Sequence, residues 1–96
     1  MSQEKYSQID QYVSQLFGCE DDVLAATLER SAGAQLPEIQ VSPGLGKMLS
    51  LLTRACGAKR VLEIGTLGGY STIWLARGLD AQGHIVTLEV EPLHAE

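Results

Sequence analysis

The fold of this chain is decided by residues 61–71, which read VLEIGTLGGYS. An apolar run passes directly into a turn with three glycines, Gly65, Gly68 and Gly69, and residues 72–76 continue with helical spacing. The pattern predicts a strand, a tight glycine loop and a helix. Backbone N–H groups and the positive end of the helix dipole would then face a cleft at the carboxyl end of the strand, where anionic or strongly polar small molecules bind.

A second strand-like run follows at residues 84–90, with Glu89 near its end. Glu89 comes 24 positions after Gly65, close to the interval of roughly 20 residues at which a doubly wound sheet presents a carboxylate to ribose hydroxyls. We therefore predict a βαβ unit that holds a nucleoside, with parallel strands near residues 60–64 and 84–90. Glu91 is the alternative ribose acid, although its place before Pro92 also suits a helix N-cap.

The glycine spacing argues against a dinucleotide. A G-x-G-x-x-G fingerprint needs glycine where this chain has Leu67, and no Gly-Lys-Ser/Thr of a P-loop follows the turn. Glu63 adds a negative charge where a pyrophosphate would lie, and a carboxylate there suits a ligand with an ammonium group. An NAD-dependent dehydrogenase is therefore the weaker alternative.

Three short motifs, at residues 62–65, 69–71 and 86–92, resemble the nucleoside site of the S-adenosylmethionine-dependent O-methyltransferases. The closer resemblance is to the cation-dependent branch, which contains catechol and caffeoyl-CoA O-methyltransferases, and it extends from residue 40 to the end. It implies an α/β chain that is the amino-terminal part of a doubly wound, Rossmann-like methyltransferase fold. Residues 1–40 would form a helical leader, and residues 41–96 would form the cofactor-binding βαβ half of a single domain.

The resemblance implies methyl transfer from S-adenosylmethionine to a phenolic or catechol-like hydroxyl of a small molecule. By physical chemistry, Glu63 should accept from the methionine ammonium, directly or through water, and Glu89 should accept both ribose hydroxyls. Gly65 and Gly69 leave room for the cofactor against the backbone. Ser71, in the first turn of the helix, can hydrogen-bond the carboxylate end of the cofactor together with free N–H groups.

The resemblance adds two cofactor contacts, the backbone of Val41 and Thr66. It also implies a divalent cation of the Mg type, held by side chains beyond Glu96, so no catalytic base or metal ligand is assigned within the chain. A homodimer is expected for the full-length form.

The chain has 96 residues, whereas the family that it resembles is more than twice as long. It stops where a second crossover helix should begin, so we expect it to be the amino-terminal part of such a protein, with doubtful activity by itself. A truncated, non-catalytic remnant or an oligomerisation module built on the leading helices would share all the motifs. The reading frame downstream of codon 96 distinguishes these alternatives.

Charge and composition predict a cytoplasmic protein with no nucleic-acid or membrane partner. The formal net charge is −5 with seven scattered Lys and Arg residues, which gives no basic surface for nucleic acid. No apolar run approaches the roughly 18–20 residues of a membrane span, and the first residues lack the apolar core of a signal peptide. Cys19 and Cys56 form no C-x-x-C pair and are expected to be reduced, partly buried thiols.

Three helices are predicted before the first strand. The first covers residues 3–17, ends at Gly18 and carries an apolar stripe expected in the core, or else facing substrate or a dimer partner: Tyr6, Ile9, Val13, Leu16 and Phe17. The second starts in the acidic run of residues 20–22, reaches about Ala32 and has an apolar stripe of Val23, Leu24 and Leu28.

The third helix has Ser42 as its N-cap, Pro43 at the first helical position and Gly57 as its stop. Its expected buried face consists of Leu45, Met48, Leu49, Leu52, Ala55 and Cys56. Gly46 either loosens the start of this helix or lets a ligand or a neighbouring backbone approach. Further along the chain, Trp74 is expected in the core, and His84 and His94 are expected at the surface or in structural roles.

Overall fold

The computed structural model describes residues 2–17 and 20–95. Its elements, in chain order, are α1 (Gln3–Phe17), α2 (Asp22–Gly33), α3 (Pro43–Ala55), β1 (Arg60–Ile64), α4 (Tyr70–Gly78), β2 (His84–Leu88) and α5 (Pro92–Ala95). The predicted α/β class and the order of leading helices followed by a βαβ unit are confirmed. The predicted helix end at Gly18 and the thiol of Cys19 lie outside the described residues.

The two strands pair in parallel, as predicted, with Arg60 opposite His84 and Ile64 opposite Leu88. β2 ends two residues earlier than predicted, so Glu89 lies just beyond the strand. The N–H of Gly65 donates to the carbonyl of Leu88 at 2.7 Å. This bond carries the strand pairing into the start of the glycine loop, and it places the loop beside Glu89.

Side-chain caps begin α2 and α3 where the sequence predicts them. Asp21 accepts the N–H of Leu24 at 3.0 Å, and Ser42 accepts the N–H of Leu45 at 3.2 Å. Each oxygen satisfies a donor that has no partner within its own helix. After α3, Gly57 adopts a φ of 61°, a left-handed conformation that suits glycine.

The core lies where α2, α3 and α4 meet. Leu24, Tyr70 and Trp74 are buried, and three partly buried residues pack against them: Leu28, Val41 and Ile73. The prediction that Trp74 is a core residue is confirmed. Of the apolar stripe predicted for α2, Leu24 and Leu28 face this core, whereas Val23 is exposed and was predicted wrongly.

The predicted burial of the α1 stripe is wrong. Only Val13 is half-buried, close to Gly44 of α3, while the remaining members are about half exposed or more: Tyr6, Ile9, Leu16 and Phe17. The physical reason is that α1 packs mainly against α3 and uses a narrow strip of its surface to do so. A broad apolar face of α1 is left open.

The predicted buried face of α3 is also wrong. Leu49 is partly buried, but the other five side chains of that face are exposed: Leu45, Met48, Leu52, Ala55 and Cys56. The face that packs on α4 consists of small residues instead, with Gly46 and Thr53 buried. A Cβ on Gly46 would overlap the indole of Trp74, and a Cβ on Gly78 would overlap the carbonyl of Ser50.

This contact corrects the interpretation of Gly46. The residue accommodates an aromatic side chain from α4, rather than a ligand or another backbone. Cys56 carries a free and exposed thiol, which corrects the expectation that it is partly buried.

One face of the two-stranded sheet carries alternating apolar side chains that are at least half exposed: Leu62, Ile64, Val86 and Leu88. Parallel sheets in α/β proteins normally cover both faces with helices. No described helix combines the length and apolar character required to cross a membrane.

Candidate functional site

A cavity of about 490 Å³ opens at the carboxyl ends of β1 and β2. Six of the seven predicted site residues line it: Val41, Glu63, Gly65, Thr66, Ser71 and Glu89. The seventh, Gly69, lines an adjoining cavity of about 380 Å³ that shares Thr66, Leu67 and His94 with the first. The structure therefore brings the predicted residues together around the glycine loop.

The glycine loop has a backbone that only particular residues tolerate. Gly65 and Gly69 have φ values of 96° and 87°. Residues with a Cβ rarely adopt such values. A Cβ at either position would meet no atom within 4 Å, so the space beside these two glycines is open. Gly68 has the opposite role, because a Cβ there would overlap the Ser31 hydroxyl on α2.

Leu67 also adopts a left-handed conformation, with a φ of 52°. This conformation is uncommon for a residue other than glycine, asparagine or aspartate. Its N–H donates to Glu89 Oε1 at 2.8 Å, a bond that supports the conformation. Leu67, whose bulk argued against a dinucleotide, is thus also anchored to Glu89 through its backbone.

Glu89 is held in place by backbone donors from both sides. Oε1 accepts the N–H of Leu67, and Oε2 accepts the N–H of Glu91 at 3.1 Å. The Leu67 N–H contributes most to lowering the pKa of Glu89 below its usual value, followed by the Glu91 N–H, while burial opposes them and His94 assists. Each carboxylate oxygen has two acceptor positions, so the Leu67 and Glu91 N–H groups do not by themselves exhaust its capacity to accept a ligand hydroxyl.

Glu63 is the centre of a cluster of hydroxyl groups. Its Oε2 accepts from Ser71, and its Oε1 accepts from Thr72 and, at 2.9 Å, from Thr87. Ser71 therefore directs its proton to Glu63, and its predicted donation to a ligand carboxylate would require that hydroxyl to turn away. The open acceptor position of Glu63 is on Oε2.

Thr66 was predicted as a cofactor contact, and its hydroxyl joins the same cluster. The Oγ1 atoms of Thr66 and Thr87 lie 2.6 Å apart. The backbone carbonyl of Thr66 accepts the N–H of Gly69 at 2.9 Å and so closes the turn. Val41 lines the cavity and packs against the buried core, so it connects the cavity wall to that core.

Three residues of the site were not predicted from the sequence: Thr72, Thr87 and Tyr70. Thr87 stands directly opposite Glu63 in the parallel register, so an exact alignment of the two strands would have revealed it. His94 Nδ1 lies 3.6 Å from Glu89 Oε2, and both side chains are largely buried, with exposed fractions of 18% and 11%. His94 thus contributes to the site structurally, one of the two roles expected of it.

Comparison with known proteins places these features in a family. The O-methyltransferase family model matches residues 14–96. Catechol O-methyltransferase from Niastella koreensis is 50% identical over 95 residues, which cover 99% of this chain and 43% of the relative. Catechol O-methyltransferase from Mycobacterium tuberculosis is 54% identical over 88 residues, covering 92% of this chain and 40% of the relative.

A solved structure shows the same backbone arrangement. The O-methyltransferase from Bacillus cereus in complex with SAH matches with a TM-score of 0.90 and 52% sequence identity, covering 96% of this chain and 42% of that chain. The chain thus spans about two fifths of the length of these relatives. The match includes both strands, the glycine loop and the cavity residues, and the chain belongs to the O-methyltransferase family.

Proposed function

We propose that the full-length protein transfers a methyl group from S-adenosylmethionine to a hydroxyl group of a small molecule, with a phenol or catechol as the preferred acceptor. The observation that carries this proposal is the pair of carboxylates, Glu63 and Glu89, which line one cavity beside the glycine loop and each keep an open acceptor position. The names of the two catechol O-methyltransferases support the acceptor class. The SAH complex of the Bacillus cereus relative supports the cofactor.

The cavity suits S-adenosylmethionine because the ligand is cationic at one end and carries two ribose hydroxyls. Glu89 would accept the hydroxyls, and Glu63 would accept from the ammonium group. Gly65 and Gly69 leave open space beside the backbone. The Val41 backbone and Thr66 would complete the contacts that the family resemblance implies. When bound, the cofactor supplies a methyl group on a positively charged sulfur, activated for transfer to an aligned oxygen.

The part of the chain described here does not provide a metal site. Within residues 2–17 and 20–95, no group of three His, Cys, Asp or Glu side chains is placed to hold a metal ion. The divalent cation implied by the resemblance stays a prediction. A cytoplasmic location likewise stays a prediction.

The open apolar face of α1 supports a homodimer of the full-length protein. Tyr6, Tyr12, Leu16 and Phe17 are all at least half exposed, and exposed apolar patches of this kind often mark contact surfaces. The same observation favours the second candidate function, an oligomerisation module. Light scattering after size-exclusion chromatography gives the oligomeric state, and a Leu16→Glu variant that stays dimeric would exclude α1 from the interface.

Titration calorimetry of the full-length protein with S-adenosylhomocysteine and with NAD tests the cofactor. We expect saturable binding of S-adenosylhomocysteine and no response to NAD. Binding of NAD without a response to S-adenosylhomocysteine would reverse the proposal. A second assay follows the labelled methyl group from S-adenosylmethionine to catechol. Cofactor binding without transfer to any hydroxyl acceptor would favour the non-catalytic alternative.

A further inference from the structure

We infer that Thr87 is a positioning residue, which orients Glu63 so that its open acceptor position is available to the ammonium group of the ligand. The inference rests on the proposed function, because it concerns how the same cavity selects a ligand with a free amino group. It assigns a task to a side chain for which the family resemblance implies no role.

The direction of the hydrogen bonds around Thr87 follows from proton counting. Its hydroxyl has one proton, which it donates to Glu63 Oε1 at 2.9 Å. Thr66 Oγ1 lies 2.6 Å from Thr87 Oγ1, so Thr66 must be the donor in that pair. The result is a directed chain from the glycine loop through β2 to the carboxylate on β1, in which Thr66 donates to Thr87 and Thr87 donates to Glu63.

The same counting leaves one position on Glu63 for a ligand. A carboxylate offers about four acceptor positions. Thr72 and Thr87 fill both positions on Oε1, and Ser71 fills one on Oε2. The remaining position is on Oε2, and the residue lines the cavity. Thr87 and Thr72 together fix which oxygen is saturated and which stays open.

The charge balance indicates what would fill the open position. The donors to Glu63 are neutral hydroxyl groups. Within residues 2–17 and 20–95, ion pairs join Lys59 to Asp80 and Arg77 to Asp21, and His94 lies beside Glu89. None of these contacts involves Glu63. Its negative charge is therefore stabilised without being neutralised, and a cationic donor such as an ammonium group is the partner that completes the site.

Two ligands distinguish a positioning role from a general structural one. S-adenosylhomocysteine carries the ammonium group, whereas 5′-methylthioadenosine has the same adenosine and sulfur but lacks the amino-acid end. The test variant is Thr87→Val, which keeps the β-branched shape favoured in a strand and removes the hydroxyl. Binding of both ligands is measured by calorimetry on the full-length protein, and thermal melting confirms that the variant is folded.

We expect Thr87→Val to weaken the binding of S-adenosylhomocysteine about five- to thirtyfold. This range is typical of a lost hydrogen bond to a charged group. We expect less than about a twofold change for 5′-methylthioadenosine, because that ligand does not reach Glu63. Thr87→Ser, which retains the hydroxyl, should restore the affinity for S-adenosylhomocysteine. In a Glu63→Gln background, Thr87→Val should have little additional effect, because both substitutions act through one contact.

An equal loss for the two ligands would assign Thr87 a merely structural role and overturn the inference, as would an unchanged affinity for S-adenosylhomocysteine. If the unmodified protein binds neither ligand, the proposed function itself fails. If it binds both but the variant shows no ligand-selective loss, the proposed function stands and only the inference fails. If Thr87→Val does not fold, Thr87→Ala removes the same hydroxyl. This variant should show the same selective loss of affinity for S-adenosylhomocysteine, and its absence would overturn the inference.

Discussion

The carboxylate of Glu89 accepts the backbone N–H of Leu67 at 2.8 Å, which ties the end of β2 to the middle of the glycine loop. The other oxygen of Glu89 accepts the N–H of Glu91. One side chain therefore fixes the loop on one side of the cavity and the approach to α5 on the other. The carboxylate is therefore oriented before any ligand arrives, and a preorganised carboxylate loses little freedom on binding.

Because Glu89 is held in this way, its substitution tests the proposed ribose contact directly. We expect Glu89→Gln to weaken S-adenosylhomocysteine binding by the full-length protein roughly ten- to hundredfold, measured by calorimetry. The amide has a single acceptor oxygen, and its NH₂ group would face either the Leu67 N–H or the Glu91 N–H. Both the charge and an acceptor position are lost.

Glu91→Gln is the matched control, because it removes one charge from the same short segment. Glu91 is exposed, and its carbonyl, rather than its side chain, accepts from His94 and Ala95 at the start of α5. We expect less than about a threefold change in affinity. Equal effects of the two substitutions would indicate a general electrostatic influence, and a larger effect at Glu91 would make it the ribose acid.

The depressed pKa of Glu89 predicts a loss of stability in acid. The Leu67 and Glu91 N–H groups hold that pKa below the ordinary value of 4.5. A carboxyl group with a lower pKa in the folded state stabilises the fold above its ordinary pKa, and this contribution is lost as the pH falls through the folded-state pKa. The contribution of Glu89 is therefore present above pH 4.5 and disappears progressively below it.

Urea denaturation of the unmodified protein and of Glu89→Gln, between about pH 3 and about pH 6, measures this contribution. The advantage of the unmodified protein over the variant should shrink as the pH falls. Asp21 and Asp80, whose pKa values are also lowered, are present in both proteins and cancel in the comparison. Two curves that run parallel over the whole range would contradict the prediction.

The parts of the fold that local patterns determine could be predicted from the sequence. The strand, the glycine loop, α4 and the acid near the end of β2 lie within about thirty residues, and glycine conformation and apolar spacing are local properties. The caps at Asp21 and Ser42 are local in the same way. Ser42 was predicted as the cap of α3, and Asp21 lies within the acidic run that was predicted to start α2.

Burial could not be predicted with the same success. Apolar spacing shows which face of a helix is apolar, but not which neighbouring element covers it. In α3 the face that packs is the small-residue face containing Gly46 and Thr53, because Trp74 and Gly78 of α4 approach there. The close approach of α3 and α4 decides which face of α3 is buried, and that approach depends on the shapes of both helices.

The acids of the site were predictable, but their partners were not. Glu63 and Glu89 are marked by their positions at strand ends. The Thr87 hydroxyl reaches Glu63 only because the parallel register places these two residues opposite each other. The N–H of Leu67 faces Glu89 in a loop where Leu67 has a left-handed backbone, a conformation that no propensity for leucine would suggest.

The close approach of α3 and α4 leads to a prediction for Gly46. Its Cβ position overlaps the indole of Trp74, so Gly46→Ala should force the ring or the helix to shift and should lower the free energy of unfolding by about 1–3 kcal/mol. This loss occurs although alanine favours helix over glycine by roughly 1 kcal/mol. Urea denaturation of the full-length protein measures the change.

Gly33 supplies the control for this substitution. It is the last residue of α2, and a Cβ there would meet no atom within 4 Å. Gly33→Ala should therefore leave the free energy of unfolding unchanged or raise it by up to about 1 kcal/mol. A Gly46→Ala protein as stable as Gly33→Ala would show that the contact with Trp74 is loose.

The buried hydroxyl of Tyr70 leads to a prediction about how α2 is attached to α4. The Tyr70 side chain is 2% exposed, and its hydroxyl donates to Glu20 Oε1 at 2.9 Å. Because Glu20 itself is exposed, water can replace part of the lost contact. We therefore expect Tyr70→Phe to lower the free energy of unfolding by about 0.5–1.5 kcal/mol, measured by urea denaturation of the full-length protein.

Tyr12→Phe removes the same hydroxyl from a side chain that is 63% exposed on α1, and it should change the free energy of unfolding by no more than about 0.5 kcal/mol. A double-mutant cycle with Glu20→Gln separates the contact from other effects of losing the hydroxyl. If the Tyr70–Glu20 contact holds the start of α2 on α4, Tyr70→Phe should cost less in the Glu20→Gln background. Costs that simply add would show that the hydroxyl stabilises the fold through other neighbours, and that Glu20 is an incidental partner.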